Sequence, residues 1–415
     1  MIVLALYAAL FIVSMLAVRL FRRHRQRHDF TSLKTVTFGD ESAVVPDRAA
    51  SVISIITIFL IWGAFTGSKF VPLHVPGPFV GQTSFTYSAQ NAAGQVADGT
   101  VNVTVFPYGG TEPTLAAPDP ASGFAKNQTA EVSAWRSVMI RMKNEDGVKV
   151  IAVDGKPAMV NTPMRVANGL VTPTAMGSFY FTPDPGMQME PIWMPAPEAV
   201  VYRLIDIARN GYKGFSLWEH LGSSLWRVMA GFLLGSLVGI PLGYAMGLSN
   251  WFRGWFDPIV EFMRPVPPLA LIPLVIIWFG IWEMGKVVLL FLAALWIMVI
   301  AARSGVSGVK ISKIHAAYSL GASKWQIMWH VIVPNSLPEI FTGARVAMGV
   351  CWGTVVAAEL VAAEKGAGMM IIVASKFMQT DTVVMGIILI GIIGYSIDIL
   401  MRVAERHLVP WKGRG

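Results

Sequence analysis

The residues best placed to do chemistry lie in three stretches. The first reads His315-Ala316-Ala317-Tyr318-Ser319-Leu320-Gly321-Ala322-Ser323-Lys324-Trp325 and runs on to Pro334. It is polar and basic, with no Asp or Glu between 303 and 334. Yet Ala316, Ala317, Leu320, Trp325, Ile327, Met328 and Val331 recur near helical spacing on either side of Gly321. That pattern describes two short amphipathic helices hinged where glycine allows a tight turn. Such a pair either lies on a membrane surface or plugs into a groove on a partner. The second stretch is "RPVPPLALIPLVIIWFGI", 264–281, in which Pro265, Pro267, Pro268 and Pro273 lie between Arg264 and Trp278. Each proline removes a backbone donor. In lipid the freed carbonyls need partners, so broken helices belong inside a bundle or along a pathway; a kinked packing helix is the plainer alternative. The third is Glu359 in "CWGTVVAAELVAAEKGAGMM". A carboxylate deep in an apolar helix is costly and marks a pathway or a buried partner. The alternative is a helix that ends early, with Glu359 at the outer interface and "EKGAG" as a turn. Asp398 and Arg402, four residues apart, read as a helix-end ion pair.

None of these is a catalytic constellation. The chain has no glycine-rich phosphate loop ending in Lys-Ser/Thr, no HExxH and no paired cysteines. The seven histidines are scattered. ATP chemistry, if it matters, resides on another subunit, and no cofactor or metal site is expected in this chain. The single cysteine, Cys351, excludes an intrachain disulfide and a thiolate metal site.

The elements that position these residues are membrane helices. Of 415 residues, 54% are hydrophobic and only 14% charged, against about 25% charged in soluble domains. The formal charge of +8 is not a nucleic-acid signal. Arg19, Arg22, Arg23, Arg25 and Arg27 follow one apolar run, and Arg303, Lys310, Lys313 and Lys324 follow another, as the positive-inside rule requires of cytoplasmic loops. A span needs about 20 mostly apolar residues. The expected spans are seven: 2–18, 50–66, 225–247, 266–282, 286–302, 346–363 and 383–401. Residues 2–18 are read as a retained helix rather than a signal peptide, because the positive charges follow the apolar run. The arginines orient the first helix inward, leaving 20–49 and the C-terminus, with Arg402, Arg406, Lys412 and Arg414, in the cytoplasm. Residues 67–195 differ: "TSFTYSA", "TVNVTVFPY", "VKVIAVDG" and "GSFYFTPD" alternate with period two and are punctuated by turn residues. They predict a small β-rich extracytoplasmic insert. Residues 197–210 read as an amphipathic surface helix.

The first stretch resembles the cytoplasmic EAA motif of ABC importer permeases: Glu-Ala-Ala, three residues, Gly, nine residues, then Ile-x-Leu-Pro. Ala316, Ala317, Gly321, Val331, Val333 and Pro334 fall at those spacings, with His315 where the glutamate is usual. "SLWRVMAGFLLGSLVGIPLGYAMG" (224–247), the proline-rich stretch, "VVAAELVAA" (355–363) and "ERHLVPW" (405–411) are similar to the nitrate/sulfonate/taurine branch. The likeness covers roughly 195–415. It implies a polytopic all-α membrane fold with a six-helix core, for which 50–66 supplies the first helix and 2–18 is an extra one. It further implies a bacterial inner-membrane homodimer, two cytoplasmic ATPases carrying ATP and Mg, and an extracytoplasmic solute-binding protein that delivers a small anion. On this likeness His315, Ala316, Ala317, Gly321, Ala322, Ser323, Lys324, Trp325 and Pro334 couple to the ATPase. Arg264, the four prolines, Trp278 and Glu359 then lie near the pathway or gate. Lys and Arg are scarce within the core spans, so no anion site can be read off. A membrane-anchored receptor with 67–195 as its ligand-binding domain, or a secondary transporter, are the alternatives.

Overall fold

The computed structural model describes residues 2–25, 48–113, 124–141, 148–175 and 177–411. Arg27 with most of the 20–49 connection, and Lys412 and Arg414, lie outside the described residues. The chain divides into two compact units, Met1–Glu198 and Ala199–Gly415.

In the first unit two apolar helices, α1 (Ile2–Arg25) and α2 (Arg48–Thr66), pack on each other around Tyr7 and Ala64. The Tyr7 hydroxyl donates to the Leu73 carbonyl at 3.1 Å. Their other faces stay exposed, Ile55 and Ile58 among them, as lipid contact requires. Among its described residues the alternating block forms nine strands: β1 (Gly81–Gln90), β2 (Val96–Phe106), β3 (Gln128–Ser133), β4 (Val138–Ile140), β5 (Lys149–Val153), β6 (Lys156–Pro157), β7 (Met164–Val166), β8 (Gly169–Pro173) and β9 (Phe179–Pro183). They make a five-stranded sheet in the order β3-β2-β1-β5-β6 and a four-stranded sheet in the order β4-β9-β8-β7. Pairing is antiparallel except between β2 and β3. The period of two puts Phe85 and Tyr87 of β1, Val101 and Val103 of β2, and Phe179 and Phe181 of β9 into one core between the sheets. The Phe85 and Phe179 rings meet edge to face at 5.5 Å.

The second unit is helical. Helix α3 (Pro197–Asn210) leads to α4 (Leu217–Leu248), whose N-cap Ser216 forms a capping box with Glu219. Gly231, Gly235, Gly239, Gly243 and Gly247 repeat every fourth residue of α4 and face α7 (Glu283–Ser307). A Cβ at Gly235 would lie 2.7 Å from Ala294, and one at Gly243 2.6 Å from Ala302. This is the small-residue seam by which membrane helices approach backbone to backbone. Helix α10 (Val333–Ala362) closes on the same core through Ala344, Ala347, Cys351 and Val355.

The fourth expected span is not one helix. The 266–282 run is the second half of a pair, α5 (Asn250–Met263) and a segment from Pro268 to Phe279 that ends in α6 (Ile272–Phe279), bent by 93°. Pro267 and Pro268 open a 3-10 turn and Pro273 opens α6, so the prolines set the breaks. Among the described residues six helices are long and apolar enough to cross a membrane, seven if the bent pair is one span. The sixth expected span is longer than 346–363: after α8 (Ile311–Ser319), α9 (Lys324–Ile327) runs through a π-helical turn, Met328–Ile332, into α10. Helix α11 (Ala367–Lys376) follows the "EKGAG" turn, and α12 (Thr380–Leu408) is the last. The Asp398–Arg402 pair forms on α12, and Asp398 also accepts from Arg345 of α10 at 3.2 Å. It is a cross-helix tie rather than a plain helix-end pair.

Candidate functional site

The EAA-like spacing has a local physical cause. Gly321 ends α8 at φ +79°, where other residues are strained. Its N–H donates to Tyr318 O at 2.9 Å, and Ala322 N–H donates to Ala317 O at 3.1 Å. These are the two bonds of a Schellman cap, and Ala317 and Ala322 both pack on the buried cluster of Val306, Ile327 and Ile332. Ser323 then starts α9 with a capping box: its Oγ accepts from Gln326 N–H at 3.3 Å, and Gln326 Oε1 accepts from Ser323 N–H at 2.8 Å. One helix is stopped and another begun within five residues, which fixes the angle between them.

The side chains this turn presents are exposed. Leu320 is 88% and Trp325 70% exposed, with Tyr318 and Trp329 each about half exposed. His315, Ala316, Ser323 and Lys324 are exposed, and Ala317 and Ala322 are half-buried. Beneath them Val306, Ile327 and Ile332 form a buried floor that ties the segment to the end of α7. Lys313 Nζ donates to Asn335 Oδ1 at 2.5 Å, and Trp411 Nε1 donates to Pro334 O at 3.1 Å. The segment is therefore bonded directly to the first turn of α10.

At the opposite end of α7 and α10 lies a buried polar network. Glu359 is 1% exposed, so it neither reaches an outer surface nor stands alone. Its Oε1 accepts from Arg227 Nη1 at 2.6 Å and Ser224 Oγ at 2.7 Å, and its Oε2 accepts from Gly368 N–H at 2.9 Å. Arg227 forks its Nε and Nη2 onto Glu283 at 2.5 and 2.8 Å. Lys286 Nζ donates to the same Glu283 at 2.9 Å. His220 completes the set: Nδ1 accepts from Gly366 N–H at 3.1 Å, and Nε2 lies 3.0 Å from Tyr212 O. A carbonyl only accepts, so the proton sits on Nε2 and the ring is neutral. Tyr212, outside the spans, has its phenol pushed above the ordinary value by burial.

His220, Ser224 and Arg227 occupy one face of α4 at spacings of four and three. His220 Nδ1, Ser224 Oγ and Glu359 Oε2 accept from the N–H groups of Gly366, Ala367 and Gly368, which a helix N-terminus leaves unpaired, and Arg227 Nη1 donates to the Lys365 carbonyl. Gly366 is required there, since a Cβ would fall 2.4 Å from the Glu359 carboxyl carbon. The network thus fastens α4, α7 and the α10–α11 turn together. Its Arg227–Glu359 arm is dry, while the Glu283 side chain is 61% exposed. Two clefts of about 500 and 460 Å³ flank it, both lined by Glu283 and Lys365.

Of the expected pathway residues only Glu359 joins this network. The proline-rich stretch reaches the same end through Val275, which packs on Leu289 and Ala358. Arg264, Pro265, Pro267, Pro273 and Trp278 are exposed, and Pro268 is half-buried. Cations in the core spans, expected to be scarce, include the buried Arg227 and Lys286. Sequence reading passed over Arg227, Lys286, Glu283, Ser224 and His220. The polar stripe His220-x3-Ser224-x2-Arg227 along α4 was the signal available.

Residues 232–410 match the family of binding-protein-dependent transport system inner membrane components. The chain is 46% identical over 226 residues to the taurine transport system permease protein TauC of Escherichia coli (strain K12), covering 54% of this chain and 82% of that one. It is 40% identical over 218 residues to the E. coli chain named for aliphatic sulfonate transport, SsuC, covering 52% and 81%. It is 28% identical over 261 residues to the nitrate import permease protein NrtB of Synechococcus elongatus, covering 62% and 88%. With a relative that close over four-fifths of its length, the chain belongs to the family of inner membrane components of binding-protein-dependent transport systems.

Proposed function

We propose that this chain is the permease subunit of an ATP-driven importer in a bacterial inner membrane, and that its solute is a small anion of the taurine, alkanesulfonate or nitrate kind. The observation that carries the reading is the 46% identity to a taurine permease. In this reading the α8–α9 turn is the coupling element. Its exposed Tyr318, Leu320 and Trp325, set among Lys310, Lys313 and Lys324, suit a partner cleft with an apolar floor and acidic rim. That partner is a cytoplasmic ATPase, which binds ATP and Mg. The direct bonds from Lys313 to Asn335 and from Trp411 to Pro334 support transmission into α10 and the residues that follow α12.

Two permease chains and two ATPases form the complex, with the N-terminus outside and the C-terminus in the cytoplasm. Helix α2 serves as the first of six core helices and α1 is additional. The Arg227 network lies at the outer end, where it holds the gate helices together while α8–α9 moves at the inner end. The β-sandwich is a dock or cap for the solute-binding protein. Purifying the tagged chain from its native host tests the assembly. Recovery of an ATPase in equal amount supports the reading, and recovery of the chain without one contradicts it.

A further inference from the structure

Helix α2 has nineteen residues, about 28 Å at 1.5 Å per residue. That is barely the ~30 Å hydrocarbon thickness. A helix with so little slack must place its last turn at the membrane boundary, and whatever is bonded to that turn lies at the same depth.

Both strands of the stalk that joins α2 to the β-sandwich are bonded there. On the outgoing side Val75 N–H donates to Ala64 O at 3.2 Å. On the returning side Met189 N–H donates to Phe65 O at 2.8 Å, and Pro195 O accepts from Trp62 Nε1 at 2.9 Å. The strands are also fastened to each other: Met187 N–H donates to Pro76 O at 2.7 Å, and Gln188 Nε2 donates to Val75 O at 3.0 Å. Gly186, at φ +66°, packs on Gly77 so closely that a Cβ would lie 2.1 Å from its carbonyl oxygen. Glu198 closes the base, accepting from Ser68 Oγ at 2.6 Å and Lys69 N–H at 3.0 Å.

This short stalk carries large apolar side chains that face outward. Trp193 is 76% exposed, Phe70 62%, Met187 58%, and Leu73 and Met189 each 48%. Trp193 lies in the chain between Met189, level with Phe65, and Pro195, level with Trp62. Those are the levels of the last turns of α2. Tryptophan is favoured at that boundary because its ring is apolar and its N–H polar.

We infer that residues 67–80 and 184–196 form a membrane-seated collar, with Trp193, Phe70, Leu73, Met187 and Met189 inserted into the interfacial layer of the bilayer, so that the β-sandwich stands on lipid at a fixed height instead of hanging on a flexible tether. The inference rests on α2 crossing the membrane and not on what is transported. Ile55 and Ile58 of α2 are exposed as well, and a lipid bilayer is the occupant that covers both them and the collar.

Site-directed spin labelling of the full chain in lipid nanodiscs tests this. Single cysteines replace Leu73 or Met189 in a Cys351→Ala background, with Trp193 retained. Ile58→Cys serves as the lipid reference and Tyr180→Cys, on the sandwich, as the water reference. The expected result is that oxygen collides with the Leu73 and Met189 labels more often than a water-soluble nickel chelate does, as at Ile58, with a shallower depth. Chelate-dominated collision at both, as at Tyr180, would overturn the inference in favour of a solvated stalk. Protection from both reagents would overturn it in favour of a protein-covered surface.

Discussion

Arg227 divides one guanidinium between two carboxylates, Glu359 and Glu283, and the Lys365 carbonyl. Removing one member of a buried ion pair costs about 3–5 kcal/mol, because the remaining charge is left without a partner. Arg227→Met strands the buried Glu359 and leaves Glu283 to Lys286 alone, whereas Glu359→Gln keeps an acceptor for Ser224 or Gly368 and leaves Arg227 on Glu283. Arg227→Met is therefore expected to lower the unfolding midpoint in detergent by more than Glu359→Gln; the reverse order would mean the pair is not the centre of the network. At the other end, Gly321 sits in the left-handed region with open space around it, so Gly321→Val costs about 1–2 kcal/mol of backbone strain and misdirects α9. The variant is expected to insert normally and to lose transport-coupled ATPase activity. His315→Glu restores the usual residue on an exposed site and is expected to change that activity only modestly; its complete loss would count against the placing of this segment on the ATPase. The α8–α9 turn was legible in the sequence because each of its determinants, Ala317, Gly321, Ala322, Ser323 and Gln326, is local. Arg227 was not, since its partner Glu359 is 132 residues away and "SLWRVMAG" reads as a cation at the start of a span.

The α4–α7 seam is the element most sensitive to volume. Gly239 lies where a Cβ would be 2.9 Å from Leu295 O and Met298 Cβ, so Gly239→Leu forces the helices apart. Overpacking of this kind costs typically 1–3 kcal/mol. Gly222, earlier on α4, faces open space, and Gly222→Ala is expected to be neutral or slightly stabilising because alanine favours helix. Comparing the two by size-exclusion profile and melting temperature checks the seam; equal behaviour contradicts it. Long helices such as α7 and α12 announced themselves through continuous apolar sequence, and the alternation of β1 and β9 was equally plain. The 93° bend was only half legible: the prolines showed that a break must occur, not that the segment would fold back against α7 through Val275. Helix α11 was not legible, because the acceptors that cap its first N–H groups are His220 and Ser224, on a helix more than 140 residues away.

Across the whole molecule, two materials are joined. The match to the taurine permease covers 54% of this chain, and the β-sandwich, with its own core, belongs to the first unit. Replacing residues 81–183 by a short polar linker is expected to leave insertion and ATPase binding intact while weakening capture of the solute-binding protein at least tenfold, measured by surface plasmon resonance on nanodiscs. Unchanged capture and uptake would remove the sandwich from that role. The spans were legible because their apolar runs are long and continuous, whereas solute choice was not, because the second unit shows ionic ties between helices in place of an anion pocket named by sequence. The central claim, that this chain is a coupled permease, is tested most directly by uptake into proteoliposomes carrying it with its ATPase and solute-binding protein. The expected result is accumulation of labelled taurine, an alkanesulfonate or nitrate that needs ATP and is lost with Gly321→Val. Accumulation that proceeds without ATP, or none of the three solutes entering when the assembled complex hydrolyses ATP, would contradict it.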